Sequence, residues 1–447
     1  MPDTIWLLVV LVVSVLFIIL GTTKLKLHPF IVLLFASYLA GAMAGLPLEK
    51  IATTIATGFG NIMAYIGIVI ILGTIIGVIL EKSNAAIKLA DLVLKLVGKR
   101  FPALAMSIIG YIVSIPVFCD SAFVILSSLR KSLAQKTGKS SVTLSIALAT
   151  GLYATHTFVP PTPGPIAAAG NLGLENQLGL VILTGLVVAV FAMITGYLWA
   201  SFIGDKYTST EDIRSEIGKT HDMQLPSASK SLMPIFVPVL LIALRSVATY
   251  PTFPMGKGFL FAFFGFCGQP VNALLIGFLL SLLLLPEFTK KTLTGWIGEG
   301  ITAAAPILLI TGAGGAFGTI LKETQIGETL GNILAGYHLG IFLPFIIAAA
   351  FKTAQGSSTV ALVATSALIA PLLSSIGLDS LYGKVLAVMA TGAGAMTISH
   401  ANDSYFWVVT QFSGIDVKTG YKTHTLATLI QGMVSMIVVY IISLLLI

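Results

Sequence analysis

Four short polar stretches interrupt the long apolar runs of this chain and hold the residue types that can bind anions or carry protons. Asp120 and Asp403 are the only acids within these stretches. An acid between membrane-length apolar runs is costly enough to indicate function, and burial lets a carboxyl group hold a proton near neutral pH. The alternative is that both acids only cap the helices that start beside them. The stretches read PVFCDSA (116–122), THTFVPPTPGP (155–165), QGSST (355–359) and SHANDS (399–404).

We predict that Asp120, Asp403, His156 and His400 are the proton-coupling groups. Imidazole titrates near physiological pH, so a histidine close to such an acid is a natural proton relay. The other interpretation is that a buried histidine, His156 in particular, is a hydrogen-bonded packing residue. Lys352 precedes the third stretch. It can balance an acidic substrate, pair with an acid, or extend from a helix end to the membrane surface.

The helices that restart after the breaks favour an anionic ligand. Each presents unpaired N–H groups and the positive end of a helix dipole, and neighbouring hydroxyl groups suit a carboxylate or a sugar-like hydroxyl. Non-helical backbone survives at membrane depth only where protein buries it or where it lines a cavity. We therefore expect the four breaks to converge near the midplane around a small anionic substrate. The hydroxyl groups are those of Ser121, Ser357, Ser358, Thr359 and Ser404.

The composition of the 447 residues predicts an all-α polytopic membrane protein. Hydrophobic residues make up 56% and charged residues 10% of the chain, and apolar runs recur at the length of about 17 to 25 residues that crosses a bilayer. The net charge of +7 comes from basic residues in short loops, which indicate topology. We therefore expect contact with membrane lipid and no nucleic-acid partner. The first run, Thr4 to Leu20, lacks a basic leader and a cleavage site and is predicted to be a retained helix.

Hydropathy predicts ten full crossings and two further apolar stretches that are interrupted at their centres. These stretches, 101–133 and 339–375, could each be a single long helix or a hairpin. If both are hairpins and the N-terminus lies outside, 19 of the 25 Lys and Arg residues lie inside, as the positive-inside rule favours. The crossings are predicted near 4–20, 28–46, 62–80, 142–158, 178–203, 231–248, 259–285, 299–321, 383–398 and 423–446.

A weak internal repeat divides the chain into two halves. GTIIGVILEKS from Gly73 matches GGAFGTILKET from Gly314, an offset of 241 residues that also aligns 149–151 with 390–392. Short Gly and Ala matches also arise by chance, but five crossings plus one hairpin in each half would make the halves inverted, as in secondary transporters. The predicted parts are a first inverted repeat at 1–203 (hairpin about 101–135, broken helix about 142–173), a cytoplasmic linker at 204–230, and a second inverted repeat at 231–447 (hairpin about 339–375, broken helix about 383–413).

The motifs THTFVPPTPGP, AQGSSTVAL and SHANDSYFW resemble the signatures of the gluconate:proton symporter (gluconate permease) family of bacteria, and the resemblance spans nearly the whole chain. It implies uptake of gluconate, a related sugar acid, D-serine or a small hydroxy acid together with protons, across the bacterial inner membrane. It also implies the fold of a wider ion transporter superfamily. That fold has inverted repeats, re-entrant hairpins, a scaffold domain that forms a homodimer, and a transport domain that moves as an elevator.

The same resemblance assigns substrate-binding positions, with two departures that affect the pocket. Asp120 between Cys119 and Ser121 stands where family members carry a glutamate followed by small residues, and Thr162 stands where they carry a second histidine. Together with the hydroxyl groups above, the predicted substrate-binding set is Ser121, Thr155, His156, Thr157, Thr162, Lys352, Gln355, Gly356, Ser357, Ser358, Thr359, His400, Asn402, Asp403 and Ser404.

Several other functions are alternatives or are disfavoured by the residues. Sodium-coupled carboxylate uptake is one alternative, since carbonyl groups near Gly356 and Asn402 can ligate Na⁺; a proton-coupled D-serine or hydroxy-acid permease of the same fold is another. A channel is disfavoured because the helices carry no continuous polar stripe. An enzyme or an ATP-driven pump is disfavoured because HExxH and GxSxG are absent and TGKSS has Leu133 in place of the leading glycine of a phosphate loop. We expect no metal and no cofactor other than a co-transported proton.

Overall fold

The computed structural model describes residues 4–98, 101–115, 117–213, 225–248, 256–324, 339–400 and 403–446. The regular structure of these residues is helical, with no strand among them. In chain order the helices are α1 Thr4–Thr23, α2 Pro29–Met43, α3 Leu48–Lys82, α4 Ala85–Val97, α5 Pro102–Val113, α6 Cys119–Thr137, α7 Ser141–Phe158, α8 Pro163–Asn171, α9 Leu178–Ile203, α10 Thr210–Ile213, α11 Ala228–Ala248, α12 Phe259–Cys267, α13 Pro270–Ser281, α14 Ile297–Glu323, α15 Phe342–Gln355, α16 Ser358–Ile369, α17 Leu381–Met396, α18 Ser404–Phe412 and α19 Val417–Leu446.

Five helical segments of the described chain are long and apolar enough to cross a membrane, and up to seven are if each bent pair counts as one span. The five are Ser141–Asn171, Glu175–Lys206, Ala228–Arg245, Lys291–Glu323 and Val417–Leu446. Shorter apolar helices, including α2, α5 and α17, lie among them. The chain is therefore a multi-pass helical membrane protein, as its hydropathy predicts.

The crossing predicted at 259–285 is sharply bent, because α12 and α13 meet at an angle of 73°. The break falls at Gly268 and Gln269, and Pro270 occupies the first turn of α13, where its missing N–H costs nothing. Gly268 is pressed against the backbone oxygen of Leu241, so no larger side chain fits at this corner. Hydropathy alone does not reveal the bend, since both helices are apolar.

The antiparallel helices α3 and α14 form a long contact between the two halves of the chain. Ion pairs close it at both ends, with Lys50 Nζ 2.8 Å from Glu323 Oε2 and Lys82 Nζ 2.6 Å from Glu299 Oε2. Helical rise places the two lysines about 48 Å apart along α3, although α3 bends by 49° between Ala64 and Gly67. This length is close to the thickness of about 40 to 45 Å of a bilayer with its headgroups. The two ion pairs therefore mark the polar ends of the molecule.

Helices α5 and α6 run in opposite directions beside α7, which is buried along its whole length. Ser107 of α5 donates to the carbonyl of Ala147, and Gly151 further along α7 rests on the backbone of Ser107. In contrast, the far end of α6 meets the start of α7, because Arg130 donates to the carbonyl of Ser141. The chain therefore turns back between α5 and α6.

Helices end inside or beside all four polar stretches named above. The gaps are 114–118 between α5 and α6, 159–162 between α7 and α8, 356–357 between α15 and α16, and 397–403 between α17 and α18. Gly356 has a left-handed φ of 89° and caps α15, a conformation that favours glycine. The predicted helix breaks are thus confirmed, and they position the site described next.

Candidate functional site

A buried ion pair between Lys352 and Asp403 is the centre of the site. Lys352 Nζ lies 2.5 Å from Asp403 Oδ2 and also donates to the carbonyl of Gly356. The lysine is completely buried and the aspartate nearly so, so Lys352 does not extend to the membrane surface. Asp403 Oδ1 also caps α18 by accepting from the N–H of Tyr405 at 3.0 Å. Buried charges persist only when they are paired and hydrogen-bonded, and both conditions hold here.

Ser399 and His424 extend this cluster through the same carboxylate oxygen, Asp403 Oδ2, that Lys352 contacts. Ser399 Oγ lies 2.5 Å from Asp403 Oδ2, and His424 Nε2 lies 3.1 Å from Ser399 Oγ. The serine backbone is fixed by two threonines of α19, since its N–H donates to Thr428 Oγ1 at 3.0 Å and its carbonyl accepts from Thr425 Oγ1 at 2.6 Å. Neither Ser399 nor His424 is among the site residues predicted from the sequence. Contrary to the expectation of no polar stripe, His424, Thr428, Gln431 and Ser435 share one face of α19 at helical spacing, and this face is the signal from which His424 could have been predicted.

Tyr153 connects the two halves at the site. Its hydroxyl lies 3.2 Å from Ser358 Oγ at the start of α16, and its ring stacks on His156 with centroids 6.3 Å apart and an interplanar angle of 11°. Lys352 Nζ lies 5.8 Å from the centroid of the same ring, within range of a cation–π interaction. Tyr405 packs against Tyr153 with centroids 5.2 Å apart. The tyrosine was not among the predicted site residues, because it lies inside α7 and not in a break.

Two predicted proton-coupling groups of the first half present buried polar atoms with no hydrogen-bond partner among the described residues. These atoms are Asp120 Oδ1 and His156 Nδ1. Asp120 lies in the first turn of α6, with Cys119 Sγ 3.9 Å from its other oxygen, and it interacts electrostatically with Asp403 and Lys352. An unsatisfied buried polar atom costs about 1 to 3 kcal/mol, so native proteins keep such atoms chiefly where they serve a function.

His400 bonds to a backbone carbonyl. Its Nε2 lies 2.9 Å from the carbonyl oxygen of Thr353, and a carbonyl only accepts, so this nitrogen carries the hydrogen. Three predicted hydroxyls of the first half likewise bond to backbone carbonyls. Thr155 donates to Tyr111 at 2.9 Å, Thr157 to Tyr153 at 3.2 Å and Thr162 to Val159 at 2.5 Å. These side chains shape the broken helix and do not point their donors at the ion pair.

The remaining predicted residues lie at the ends of the same helices. Ser357 caps α16 by accepting from the N–H of Val360 at 3.3 Å, and Thr359 is half-buried in the first turn of that helix. Ser121, Gln355 and Ser404 occupy the first turn of α6, the last position of α15 and the first position of α18. Asn402 lies outside the described residues.

A polar cavity of about 660 Å³ lies where α8 and α16 end, which is the end of α16 away from the ion pair. The cavity is enclosed between these two helices and the α3–α14 pair. Its lining includes Asn61, Asn171, Lys322 and Lys384. Asn171 ties α8 to α16 by donating to the carbonyl of Val363 at 3.2 Å and to Ser366 at 2.8 Å. Since α16 begins at the ion pair and ends at this cavity, about 18 Å of helix separates the two.

Comparison with known proteins identifies relatives along the whole chain. The sequence model of the GntP family of permeases matches residues 6–445. A gluconate permease of Pseudomonas aeruginosa is 32% identical over 451 residues, covering 99% of this chain and 98% of its own. A D-serine transporter of Escherichia coli K12 is 32% identical over 454 residues, covering 99% of both chains. The crystal structure of the YdaH transporter of Alcanivorax borkumensis superposes with a TM-score of 0.58 at 15% identity over 88% of each chain, which indicates a shared fold.

Proposed function

The chain belongs to the GntP family of permeases, and we propose from this that it imports a small hydroxylated carboxylate, gluconate or a related sugar acid, together with a proton. The family is one of transporters, so the protein is not an enzyme. Its bacterial relatives and its several spanning helices make it a multi-pass protein of the bacterial inner membrane. Gluconate and D-serine, named for two relatives, both carry a carboxylate and a hydroxyl group, which is the chemistry that the site must recognise.

The Lys352–Asp403 pair is the observation that carries the proposal. While Asp403 is ionised, it neutralises the one lysine at the meeting point of the breaks. A proton on Asp403 would release the charge of Lys352 for the carboxylate of the substrate. Proton and anion would then favour the same state of the protein, which is the thermodynamic requirement for symport. A deprotonated site would bind the anion poorly, because the substrate would compete with an aspartate already in place.

The first half would contribute a second acid and the hydroxyl-binding atoms. Asp120 interacts electrostatically with Asp403 and Lys352 and is the other candidate proton carrier. The unpartnered atoms Asp120 Oδ1 and His156 Nδ1 suit hydroxyl groups of a sugar acid, since a hydroxyl both donates and accepts. Tyr153 and Ser358 would hold the substrate from the side. In this proposal the carboxylate of the substrate would lie at the lysine and its hydroxyl groups toward the first half.

The helix arrangement supports an elevator mechanism with two re-entrant hairpins. The turn back between α5 and α6, and the two-residue gap between α15 and α16, would form one hairpin tip from each half beside the ion pair. We propose that the helices around the ion pair move against a scaffold that includes α3 and α14. The polar cavity beyond α16 would be the entrance on the outer side, with the N-terminus outside, the linker at 204–230 in the cytoplasm and the scaffold forming a homodimer.

Uptake into proteoliposomes tests this function. Purified protein is given radiolabelled gluconate, other sugar acids, glycerate or D-serine, with a pH gradient and a sodium gradient imposed separately. We expect accumulation of a hydroxylated carboxylate when the outside is acidic, and none with sodium alone at symmetric pH. Accumulation driven by sodium at symmetric pH would contradict proton coupling and support sodium symport through the backbone carbonyls of the breaks.

A variant of Asp120 tests in the same assay whether this acid carries the coupled proton. Asp120→Asn is expected to abolish accumulation against a gradient if Asp120 carries the proton, whereas an Asp120→Asn protein that still concentrates substrate would remove Asp120 from the coupling role. Asp91→Asn is the matched control. Asp91 is a half-exposed acid of α4 that pairs with Lys88 and Lys95, and its amide variant is expected to transport as the unchanged protein does.

A further inference from the structure

We infer that Ser399 and His424 form the path along which a proton moves between Asp403 and the linker face of the molecule. The linker face is the polar end that carries Tyr207, Glu211 and Lys422. This inference rests on the proposed proton symport and assigns its proton path to two residues outside the sequence-predicted site.

The hydrogen-bond directions of the chain follow from the charge of Asp403. An ionised carboxylate only accepts, so the Ser399 hydroxyl donates to Asp403 Oδ2 at 2.5 Å. Ser399 Oγ is then free to accept, and His424 Nε2, 3.1 Å away, donates to it. The imidazole is therefore the Nε2–H tautomer in this state. Its Nδ1 carries a lone pair and is buried without a partner among the described residues, so it is the atom that can take up the next proton.

A proton reaches Asp403 through this chain without leaving a charged imidazole behind. Nδ1 of His424 gains a proton, Nε2 passes its own proton to Ser399 Oγ, and the serine passes its hydroxyl proton to Asp403 Oδ2. The products are a neutral carboxylic acid, an intact serine and the Nδ1–H tautomer of His424. The reverse sequence releases one proton from Asp403 at Nδ1. Toward Asp403, bonds to hydrogen form at Nδ1, Ser399 Oγ and Asp403 Oδ2. The three that break are the N–H at Nε2, the earlier O–H of Ser399, and an O–H of the solvent proton donor at Nδ1; release from the protonated acid and the Nδ1–H tautomer exchanges the two sets.

The surroundings of His424 give the path its direction. His424 lies in a π-helical turn, Tyr421–Thr425, and is completely buried between the rings of Tyr405 and Phe406, with centroids 5.4 and 6.3 Å away. Only half a turn earlier, Lys422 is exposed and its Nζ lies 5.9 Å from the ring centroid of Tyr207. The histidine thus stands between the buried ion pair and the polar end of the protein.

Few ionisable groups face the imidazole from the neighbouring helices. Asp403 and Lys352 act on it electrostatically, and Tyr405 contacts its ring. From α9, Trp199 donates to the carbonyl of Thr423 at 2.9 Å and brings no ionisable group. His400, from the same break as Asp403, donates to the backbone carbonyl of Thr353. Among the described histidines, His424 is therefore the one joined to Asp403 by a hydrogen-bond chain.

The test compares net uptake with exchange in proteoliposomes loaded or not with unlabelled gluconate. Exchange of labelled for unlabelled gluconate does not require proton release, whereas net uptake does. His424→Gln keeps a donor to Ser399 but cannot pass a proton through two ring atoms, and Ser399→Ala removes the middle of the path. We expect both variants to lose at least tenfold in pH-driven net uptake and to keep exchange within about twofold, with Ser399→Thr restoring net uptake.

Matched controls and the contrary outcomes complete the experiment. His28→Gln, an exposed helix cap of α2, and Ser435→Ala, a buried hydroxyl further along α19, are expected to leave both rates unchanged. Net uptake by His424→Gln at the unchanged rate would overturn the path. An equal loss of exchange and net uptake in both variants would also overturn it and leave the two residues with a positioning role. Absence of pH-driven uptake by the unaltered protein would instead defeat the proposed function itself.

Discussion

Replacing Lys352 by methionine, alone and together with Asp403→Asn, tests whether the two charges act as one unit. Methionine keeps the length of the side chain inside α15 and removes the charge. Asparagine keeps the shape of Asp403: its one amide oxygen can still cap α18, and its amide nitrogen, in place of Oδ2, can donate to Ser399 Oγ. The two substitutions therefore remove the ion pair with little change in packing.

The expected magnitude follows from the burial of the pair. Lys352 Nζ and Asp403 Oδ2 are 2.5 Å apart with side-chain exposures of 0% and 6%, and removing one partner of a buried pair costs about 3 to 5 kcal/mol because the other charge is left unpaired. We expect each single variant to lose free energy of unfolding in this range. The double variant leaves neither charge and is expected to lose no more than either single variant, a coupling of about 3 kcal/mol or more.

Denaturant-induced unfolding in detergent micelles measures these free energies, and uptake in proteoliposomes measures function. All three variants are expected to fail in pH-driven accumulation. This includes the double variant, although its loss of unfolding free energy is no larger than that of either single variant. Lys95→Met is the control, because Lys95 pairs with Asp91 at an exposed position and should change stability by about 0.5 kcal/mol or less. Costs that simply add in the double variant would refute the view that the pair is one unit, and accumulation by Lys352→Met would refute the role of the lysine in anion binding.

Three further predictions concern the packing around the site. Gly151→Ala is expected to lose about 1 to 3 kcal/mol of unfolding free energy, because the new methyl group would overlap the backbone of α5. Its control is Gly60→Ala, where no atom lies within 4 Å of the added carbon. This variant should be neutral or gain about 0.5 to 1 kcal/mol in the same denaturation assay. Glu211→Gln is expected to lose about 2 to 3 kcal/mol of unfolding free energy, because the carboxylate of Glu211 binds the fully buried Arg130 of α6 at 2.8 Å. Its control, Lys50→Met, removes an exposed ion pair and should lose about 0.5 kcal/mol or less. Tyr153→Phe keeps the ring but loses the hydroxyl bonded to α16, and uptake kinetics should show KM rising about three- to tenfold, with about 1 kcal/mol lost in unfolding free energy.

The helix breaks could be predicted from the sequence because they have local causes. Proline, glycine and small hydroxyl residues cluster at each break, and these residues end or restart helices by their own backbone chemistry. The bend between α12 and α13 was missed for the opposite reason. Its signal is a single Gly268–Pro270 segment inside a continuous apolar run, and hydropathy averages over such a segment.

The partners within the site could not be predicted, because they are distant in the chain. Lys352 and Asp403 are 51 positions apart, and the sequence left open whether the lysine pairs with an acid, binds substrate or reaches the surface. The two histidines in the breaks drew attention, whereas His424 lies in an apolar crossing and joins the acid only through a serine. Which histidine meets which acid depends on how α19 packs against the break after α17, and local residue patterns do not contain that information.

The contact between α3 and α14 would allow the two halves of the protein to assemble even as separate chains. Lys50–Glu323 and Lys82–Glu299 close it at both ends, and Gly58 and Gly315 let the two backbones approach closely between them. None of these contacts depends on the linker at 204–230. Cutting the chain between residues 213 and 225 would remove a covalent connection but leave these contacts, and those of Ser209 and Glu211, in place. It would therefore change the effective concentration of one half for the other and not the interface through which they assemble.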